Sequence, residues 1–281
     1  MNIVIFKRKV FMKRRIRKKY ITKYYTVPNY EEERRVRVVL PPGYNHTEER
    51  YPVVYFHDGQ NMIYDKESYS GVSWKLFSAM MNLSDELRFI SVLIDNAGPS
   101  RLSEYSAWDF EFRSGSVIPA GADDYLDFIV NELKADIDYE FRTLPERENT
   151  ALIGSSMGGL ISAYGGARYN NVFGRLGVFS LCAFLTSDQF ADTLLYHPID
   201  PNTKVYIQTG TEEGNDDDAA YNTGMNISQA YINDAITYQY ILLSKGLDLN
   251  NISLNINHRE THSEFFWGIH LDECLHYLFC S

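Results

Sequence analysis

The sequence predicts an α/β fold with a mostly parallel central sheet, helices on both faces and an antiparallel hairpin at its N-terminal side. First, short apolar runs alternate with segments of helical periodicity from residue 51 onwards. Second, the segment 149–163 combines an apolar run, a glycine-containing turn and small residues, which predicts a strand, a tight turn and a helix. Third, the β-rich segments 20–27 and 34–40 are separated by a proline and predict a hairpin.

The other elements follow in chain order. The continuous apolar run 51–56 is typical of a strand that is buried on both faces. The segment 95–119 is predicted to be a long loop, and loops of that length inside a compact domain are usually functional. Further strands are predicted at 88–94, 174–179, 204–209 and 252–256, and helices at 73–83, 122–137, 228–245 and 268–278.

Length and composition favour one domain. A chain of 281 residues with 44% hydrophobic side chains can bury one sizeable core. No repeat or linker divides it, so we expect a single domain over residues 1–281. No apolar run approaches the roughly 18 residues of a membrane-spanning helix, and the first six residues are too short for a signal-peptide core. We therefore expect a soluble, cytoplasmic protein.

The number and spacing of the cysteines also favour a cytoplasmic protein. The three cysteines, Cys182, Cys274 and Cys280, lack the spacing of metal ligands, and pairing two of them would leave one over. This favours reduced thiols. Cys182 lies in the apolar run 178–184, so we interpret it as a core residue and not as a nucleophile. No metal site is expected.

The charge is unevenly distributed. Residues 1–37 carry 13 of the 27 Lys and Arg residues but only three of the 37 Asp and Glu residues, so the remainder has 14 basic against 34 acidic residues. An acidic body disfavours nucleic acid or an anionic membrane as a partner. The basic stretch 7–23 is suited to polyanions, but its alternating apolar residues favour a charge-protected edge strand. Residues 1–20 are thus expected to be a basic N-terminal extension or an edge strand.

The strongest motif is Gly-Ser-Ser-Met-Gly at 154–158, which matches G-x-S-x-G between a strand and a helix. Such a turn exposes a strained serine at the carboxyl edge of a sheet, and glycines let the strand and helix approach closely. Only Ser156 has glycine two residues before and two residues after it. Ser156 is therefore the candidate nucleophile, and Ser155 fills the turn.

A serine nucleophile needs a general base, and that base needs an orienting acid. In a sheet of this topology the chain order is serine, acid, histidine. Among the seven histidines, only His262 follows the last predicted strand directly, and His258 within that strand is the next candidate. His262 is therefore the predicted base.

The predicted acid follows the strand at 204–209. Glu213 is preferred because a carboxylate just beyond the strand end points toward the imidazole. Glu212 is the second choice, and Asp216, Asp217 and Asp218 remain further alternatives. The acidic run 215–218 lacks the alternating ligands of a calcium loop.

The tetrahedral intermediate of acyl transfer needs two amides that bind its oxyanion. Met157 follows the nucleophile, and its N–H supplies one of them. The other is expected after the strand ending at Phe56, where Gly59 allows an unusual turn and Gln60 presents its N–H. His57 and Asp58 precede the serine on this loop, and we interpret them as shaping it.

These residues resemble the esterase family of the α/β hydrolases that includes esterase D, the enterochelin and bacillibactin esterases and the mycolyl transferases. The resemblance spans roughly residues 34 to 279. It rests on the motifs at 37–44, 54–62, 154–159, 210–213 and 261–267.

The resemblance implies the α/β-hydrolase fold and a set of site residues. It implies Ser156 as nucleophile, His262 as base, Glu213 as acid, and the amides of Met157 and Gln60 as the oxyanion hole. It implies no cofactor. The acid is the least secure of these assignments, because the family has Asp or Glu there and some members lack a well-placed acid.

The leading hypothesis is a serine carboxylic ester hydrolase that acts through an acyl-enzyme on small-molecule esters. The alternatives are an acyltransferase to a sugar or lipid hydroxyl, and a non-catalytic binding protein on the same fold. An intact set of Ser156, His262 and Glu213 argues against the binding protein. The expectations include no nucleic acid and no membrane partner, and they leave room for a homo-oligomer.

Overall fold

An eight-stranded sheet runs through the molecule in a computed structural model that describes residues 20–30, 32–83, 87–112, 114–214 and 226–280. The strands are β1 (Tyr20–Tyr25), β2 (Arg34–Val39), β3 (Val53–Phe56), β4 (Ile90–Ile94), β5 (Phe110–Glu111), β6 (Val117–Ile118), β7 (Thr150–Ser155), β8 (Arg175–Phe179), β9 (Lys204–Glu212) and β10 (Ile252–Thr261).

The strand order of the large sheet is β1-β2-β4-β3-β7-β8-β9-β10. The first two pairings, β1 with β2 and β2 with β4, are antiparallel, and all the others are parallel. The predicted N-terminal hairpin and the mostly parallel sheet are therefore confirmed. The basic segment 7–19 lies outside the described residues, whereas β1 lies at the edge of the sheet as described.

Helices cover both faces of the sheet. They are α1 (Leu76–Asn82), α2 (Arg101–Glu104), α3 (Ala122–Phe128), α4 (Lys134–Glu140), α5 (Met157–Arg168), α6 (Ser187–Tyr196), α7 (Ile227–Ser244) and α8 (Glu264–Cys280). A π-helical turn, Ile129–Leu133, joins α3 to α4. None of the helices in the described ranges combines the length and apolar character that crossing a bilayer requires.

Strand β3 is apolar throughout because its side chains enter the core on both faces of the sheet. Val53 and Tyr55 belong to the core on one face of the sheet, and Val54 and Phe56 belong to the core on the other. Each residue is at most 1% exposed, because successive strand side chains point to opposite faces and both faces are covered by helices.

Several predicted bounds were wrong. Helix α8 begins four residues earlier than predicted, β9 and β10 are longer, and the helical segment from 122 continues to Glu140. The predicted loop 95–119 contains α2 and the small β5–β6 hairpin. Helix α6 was missed because only Phe190 and Leu194 of its ten residues are buried, which leaves a weak apolar pattern.

The parallel strands bring the candidate site residues to one edge. Strands β3, β7, β8, β9 and β10 run in the same direction, so the residues that follow them meet at the carboxyl edge of the sheet. Those residues include Gln60, Ser156, Ser180, Glu213 and His262.

Candidate active site

Ser156 occupies a strained turn between β7 and α5. Its backbone angles are φ 60° and ψ −125°, and its N–H donates to the carbonyl oxygen of Phe179 across 2.9 Å. Such a conformation in a residue other than glycine costs about 1–3 kcal/mol and persists only where the surroundings enforce it. The side chain is half-buried at the sheet edge. The predicted elbow is thus formed around Ser156, and Ser155 is the buried last residue of the strand.

The glycines of the motif are required by close contacts. A Cβ atom at Gly154 would lie 2.5 Å from the carbonyl oxygen of Gly158, and one at Gly159 would lie 2.7 Å from that of Phe179. No side chain fits at either distance, so the strand, the helix and β8 approach as closely as glycine permits.

His262 and Glu213 form a hydrogen-bonded pair at the same edge of the sheet as this elbow. His262 Nδ1 donates to Glu213 Oε2 across 2.6 Å. Glu213 is 1% exposed, whereas the His262 side chain is 18% exposed. Because Nδ1 is engaged by the carboxylate, Nε2 is the ring nitrogen that can accept a proton from a serine hydroxyl.

The second carboxylate oxygen of Glu213 is held by Ser180, directly after β8, and by two residues of β9. Glu213 Oε1 accepts from Ser180 Oγ at 2.7 Å, Gly210 N–H at 2.6 Å and Thr209 Oγ1 at 3.3 Å. These three hydrogen bonds fix the orientation of the carboxylate. Oε2 is left to face His262.

Ser180 and Trp267 are site residues that the sequence reasoning missed. The indole Nε1–H of Trp267 donates to Ser180 Oγ across 2.8 Å, and the Ser180 hydroxyl in turn donates to Glu213 Oε1. The Trp267 ring also meets His262 edge-on, with centroids 4.9 Å apart. A position directly after β8 was the one available signal for Ser180.

A second aromatic residue, Tyr231, packs against the imidazole. The ring of Tyr231, on α7, lies 4.9 Å from that of His262 with an interplanar angle of 37°. Asp234, one turn later, accepts the N–H groups of Ala183 and Phe184 at 2.7 Å each and so ties α7 to the loop after β8. Burial raises the pKa of Asp234 to about 7.

The alternative base and acids stand apart from this pair. Glu212 is exposed on β9 next to the buried Glu213, and His258 is exposed on β10. Asp216, Asp217 and Asp218 lie outside the described residues. The structure therefore brings together His262 and Glu213 and leaves Glu212 and His258 in solvent.

The two predicted oxyanion amides follow neighbouring strands: Met157 comes after β7, and Gln60 comes after β3. Met157 is the first residue of α5, so its N–H is among those without an acceptor inside the helix. Gln60 is the middle residue of the 3₁₀ turn Gly59–Asn61 that follows β3, and the first bond of that turn runs from Asn61 N–H to Asp58 C=O. The N–H of Gln60 precedes that bond and is left for another acceptor.

The prediction that Gly59 supplies the unusual backbone turn was wrong in detail. Asp58 adopts the left-handed conformation, with φ 52°. Gly59 is needed because a Cβ there would lie 2.5 Å from the carbonyl carbon of Leu93. The 3₁₀ turn is thus pressed against β4.

Asp58 is held by Asn96, in the loop after β4, and by Arg101, the first residue of α2. Arg101 donates from Nε and Nη2 to its two carboxylate oxygens at 2.7 and 2.8 Å, and Asn96 Nδ2 donates at 2.6 Å. Asn96 N–H also donates to Gln60 Oε1 at 3.2 Å. Burial opposes the charge of Asp58, but the attraction of Arg101 outweighs it and lowers the pKa of this carboxyl. The turn that carries Gln60 is thereby fixed by an ion pair.

His57 is buried behind the same loop and is 2% exposed. Its Nδ1 lies 2.9 Å from the hydroxyl of Tyr125, and burial lowers the pKa of His57 to about 3. His57 is therefore neutral at ordinary pH. Its position among Tyr105 and Tyr125 agrees with the interpretation that it shapes the loop.

Comparison with known proteins finds a curated relative and several similar solved structures. The curated protein YbbA of Bacillus subtilis (strain 168), described as uncharacterized, is 27% identical over 184 residues, which cover 64% of this chain and 69% of YbbA. An IroE-like serine hydrolase from Shewanella oneidensis superposes with a TM-score of 0.69 at 20% identity, covering 93% of this chain and 80% of the other.

A third relative is the enterobactin esterase Fes from Shigella flexneri, solved in the presence of enterobactin. Its TM-score is 0.64 at 16% identity, covering 92% of this chain and 58% of the other. These structural likenesses confirm the α/β-hydrolase fold. The family model described as "Putative esterase" matches residues 28–243, well over half of the chain. The chain therefore belongs to this family and is a serine esterase.

Proposed function

We propose that the protein hydrolyses carboxylic esters through an acyl-enzyme formed on Ser156, with His262 as general base and Glu213 as the orienting acid. The observation that carries this proposal is the 2.6 Å hydrogen bond between His262 Nδ1 and the buried Glu213, at the same sheet edge as the strained Ser156. A buried carboxylate stabilises the imidazolium that forms during the reaction and selects the tautomer with Nε2 facing the serine.

The first half of the reaction forms the acyl-enzyme. Ser156 Oγ attacks the ester carbonyl carbon while its proton moves to His262 Nε2. The negative charge that develops on the carbonyl oxygen is stabilised by the N–H groups of Met157 and Gln60. His262 then returns the proton to the leaving alkoxide oxygen, and the alcohol departs.

The second half releases the acid. Water attacks the acyl carbon and gives a proton to His262, and the second tetrahedral intermediate uses the same two amides. Its collapse restores the Ser156 hydroxyl with the proton from His262 and frees the carboxylic acid. No step requires a cofactor.

The test combines labelling with turnover. A fluorophosphonate should modify Ser156, as located by peptide mass spectrometry, and Ser156→Ala should lose both labelling and hydrolysis of p-nitrophenyl esters, by roughly a millionfold in kcat. Circular dichroism should show that the variant is folded. Labelling of a different serine, or near wild-type turnover by the variant, would exclude the proposal.

A further inference from the structure

A cavity of about 570 Å³ lies at the carboxyl edge of the sheet, on the β4 side of the candidate active site. It is lined by the hairpin turn between β1 and β2, by the loop that follows β4 and by Gln60. Pockets of about 300–1,000 Å³ are typical of small-molecule sites. The cavity is therefore large enough for part of an ester substrate.

Gln60 joins the cavity to the proposed reaction centre. Its backbone N–H is the proposed oxyanion donor, Gln60 is one of the residues that line the cavity, and its Oε1 accepts from Asn96 N–H. Because Gln60 belongs both to the proposed oxyanion hole and to the cavity wall, the cavity is the space next to one of the two substituents of a carbonyl carbon whose oxygen is bound at this N–H. The order of the strands in the sheet decides whether that substituent is the acyl group or the alcohol.

The alcohol of the ester lies on the side of the carbonyl group that faces away from the cavity. His262 is paired with Glu213, which Ser180 holds at the end of β8, so the imidazole approaches Ser156 from the β8 side. His262 must protonate the leaving oxygen, and the alcohol therefore lies on that side. The cavity lies on the β3–β4 side, where the acyl group extends.

The charges of the cavity wall do not balance. Arg34 pairs with the buried Glu104 at 2.6 Å. Arg35 pairs with Asp95 at 2.7 Å and with Glu67 at 3.1 Å, and Arg37 also contacts these two carboxylates.

Two carboxylates of the wall remain without a cation. Glu32 and Glu33 are exposed, and within the described part of the chain neither forms an ion pair. Since the two arginines of the wall are neutralised by their own partners, Glu32 and Glu33 give the cavity a net negative charge. A negative wall attracts a cation and repels an anion.

We propose that this cavity is the acyl subsite and that it favours esters whose acyl group carries a positive charge. The inference rests on the proposed function of Ser156. Esters with an anionic acyl group are the poorest substrates, and neutral polar acyl groups are intermediate.

The test compares p-nitrophenyl esters that share one alcohol and a six-carbon acyl chain. The chains end in trimethylammonium, methyl or carboxylate. At low salt, kcat/KM for the cationic ester should exceed that for the anionic ester by roughly tenfold. Glu32→Gln/Glu33→Gln should lower this ratio by about three- to tenfold, and 0.5 M NaCl should lower the wild-type ratio in the same direction.

A matched control removes the same number of charges elsewhere. Glu146 and Glu148 are exposed carboxylates before β7, at the opposite edge of the sheet, so Glu146→Gln/Glu148→Gln should leave the ratio unchanged. A wild-type ratio near one, or equal losses in the two double variants, would overturn the inference. Hydrolysis of the neutral ester and labelling of Ser156 report separately on the proposed function.

A steric variant tests which half of the ester enters. Ala97 lines the cavity and is half-buried, and its backbone angles suit any residue. Ala97→Trp should lower kcat/KM for the long cationic acyl ester at least tenfold and leave p-nitrophenyl acetate within about twofold. Selective loss of activity on acetate esters of large alcohols would instead assign the cavity to the alcohol and contradict the proposal.

Discussion

His262 Nδ1 donates to Glu213 Oε2 across 2.6 Å, while the neighbouring Glu212 points into solvent. Two consecutive glutamates on one strand end therefore have opposite environments. Side chains of successive strand residues alternate in direction, so only one of the pair can reach the imidazole.

The first prediction follows from this pairing. Glu213→Gln should lower kcat by roughly 10³- to 10⁴-fold, because an amide neither stabilises the imidazolium nor enforces the tautomer. Glu212→Gln is the matched control and should stay within about twofold of wild type. Steady-state kinetics on one p-nitrophenyl ester provides the measurement. Equal effects of the two substitutions would assign the acid elsewhere.

The second prediction concerns Ser180, which links Trp267 to Glu213. Ser180→Ala removes the 2.7 Å donor to Glu213 Oε1 and leaves the Trp267 N–H without its acceptor. We expect kcat to fall by about ten- to a hundredfold with little change in KM, because the carboxylate loses part of its orientation.

Thr209→Val serves as its control. That substitution removes the longer, 3.3 Å bond to the same carboxylate oxygen, so its effect on kcat should be smaller. A Ser180→Ala enzyme with raised KM and unchanged kcat would show that Ser180 acts on substrate binding and not on Glu213.

The third prediction concerns the ion pair between Asp58 and Arg101, which holds the turn that carries Gln60, the proposed oxyanion donor. Asp58→Asn keeps a residue that tolerates φ 52° but loses the charge that Arg101 binds. The Gln60 N–H should then be less well placed, and kcat should fall by about ten- to a hundredfold while KM changes little. Inactivation by a fluorophosphonate should slow in parallel, since its phosphoryl oxygen occupies the same site.

Arg168→Lys is the corresponding control. Arg168 forms ion pairs at the far end of α5, with Asp123 at 3.4 Å and Asp127 at 4.0 Å. Its substitution should leave both the turnover and the rate of inactivation unchanged. Slower turnover of Asp58→Asn without slower inactivation would contradict a role in oxyanion binding.

The fourth prediction is a pH dependence of stability. Burial raises the pKa of Asp234 from 3.8 to about 7, so the folded protein holds a proton there that the unfolded chain has released above pH 4. This contribution to stability is complete below about pH 4 and is lost as the pH rises through about 7.

Asp234→Asn isolates that contribution, because the amide oxygen still accepts the two backbone N–H groups and carries no charge. The free energy of unfolding of the wild type relative to the variant should decrease between pH 4 and pH 7 by about 1.4 kcal/mol per pH unit. Urea titrations across this range measure it. A constant difference would mean that Asp234 is ionised in the folded protein throughout.

The sequence by itself determined the alternation of strands and helices and the elbow at Ser156. Each of these depends on short-range pattern: apolar runs bounded by turns, and glycines spaced around a serine. The family match agrees with these features. Helix α6 was not predicted, because it buries only two side chains and its apolar pattern is therefore weak.

Only the tertiary structure decided which groups surround those residues. The contacts of Ser180 with Trp267, and of Asp58 with Arg101, join residues 87 and 43 positions apart, and local sequence says nothing about such pairs. The role of Gly59 likewise depends on the distance to β4, which no turn motif reveals. Close packing between strands that are distant in the chain fixes these contacts. Alternation along a strand places Glu212 and Glu213 in opposite directions, but only the packing of β8, β9 and α8 decides that Glu213 is the buried one.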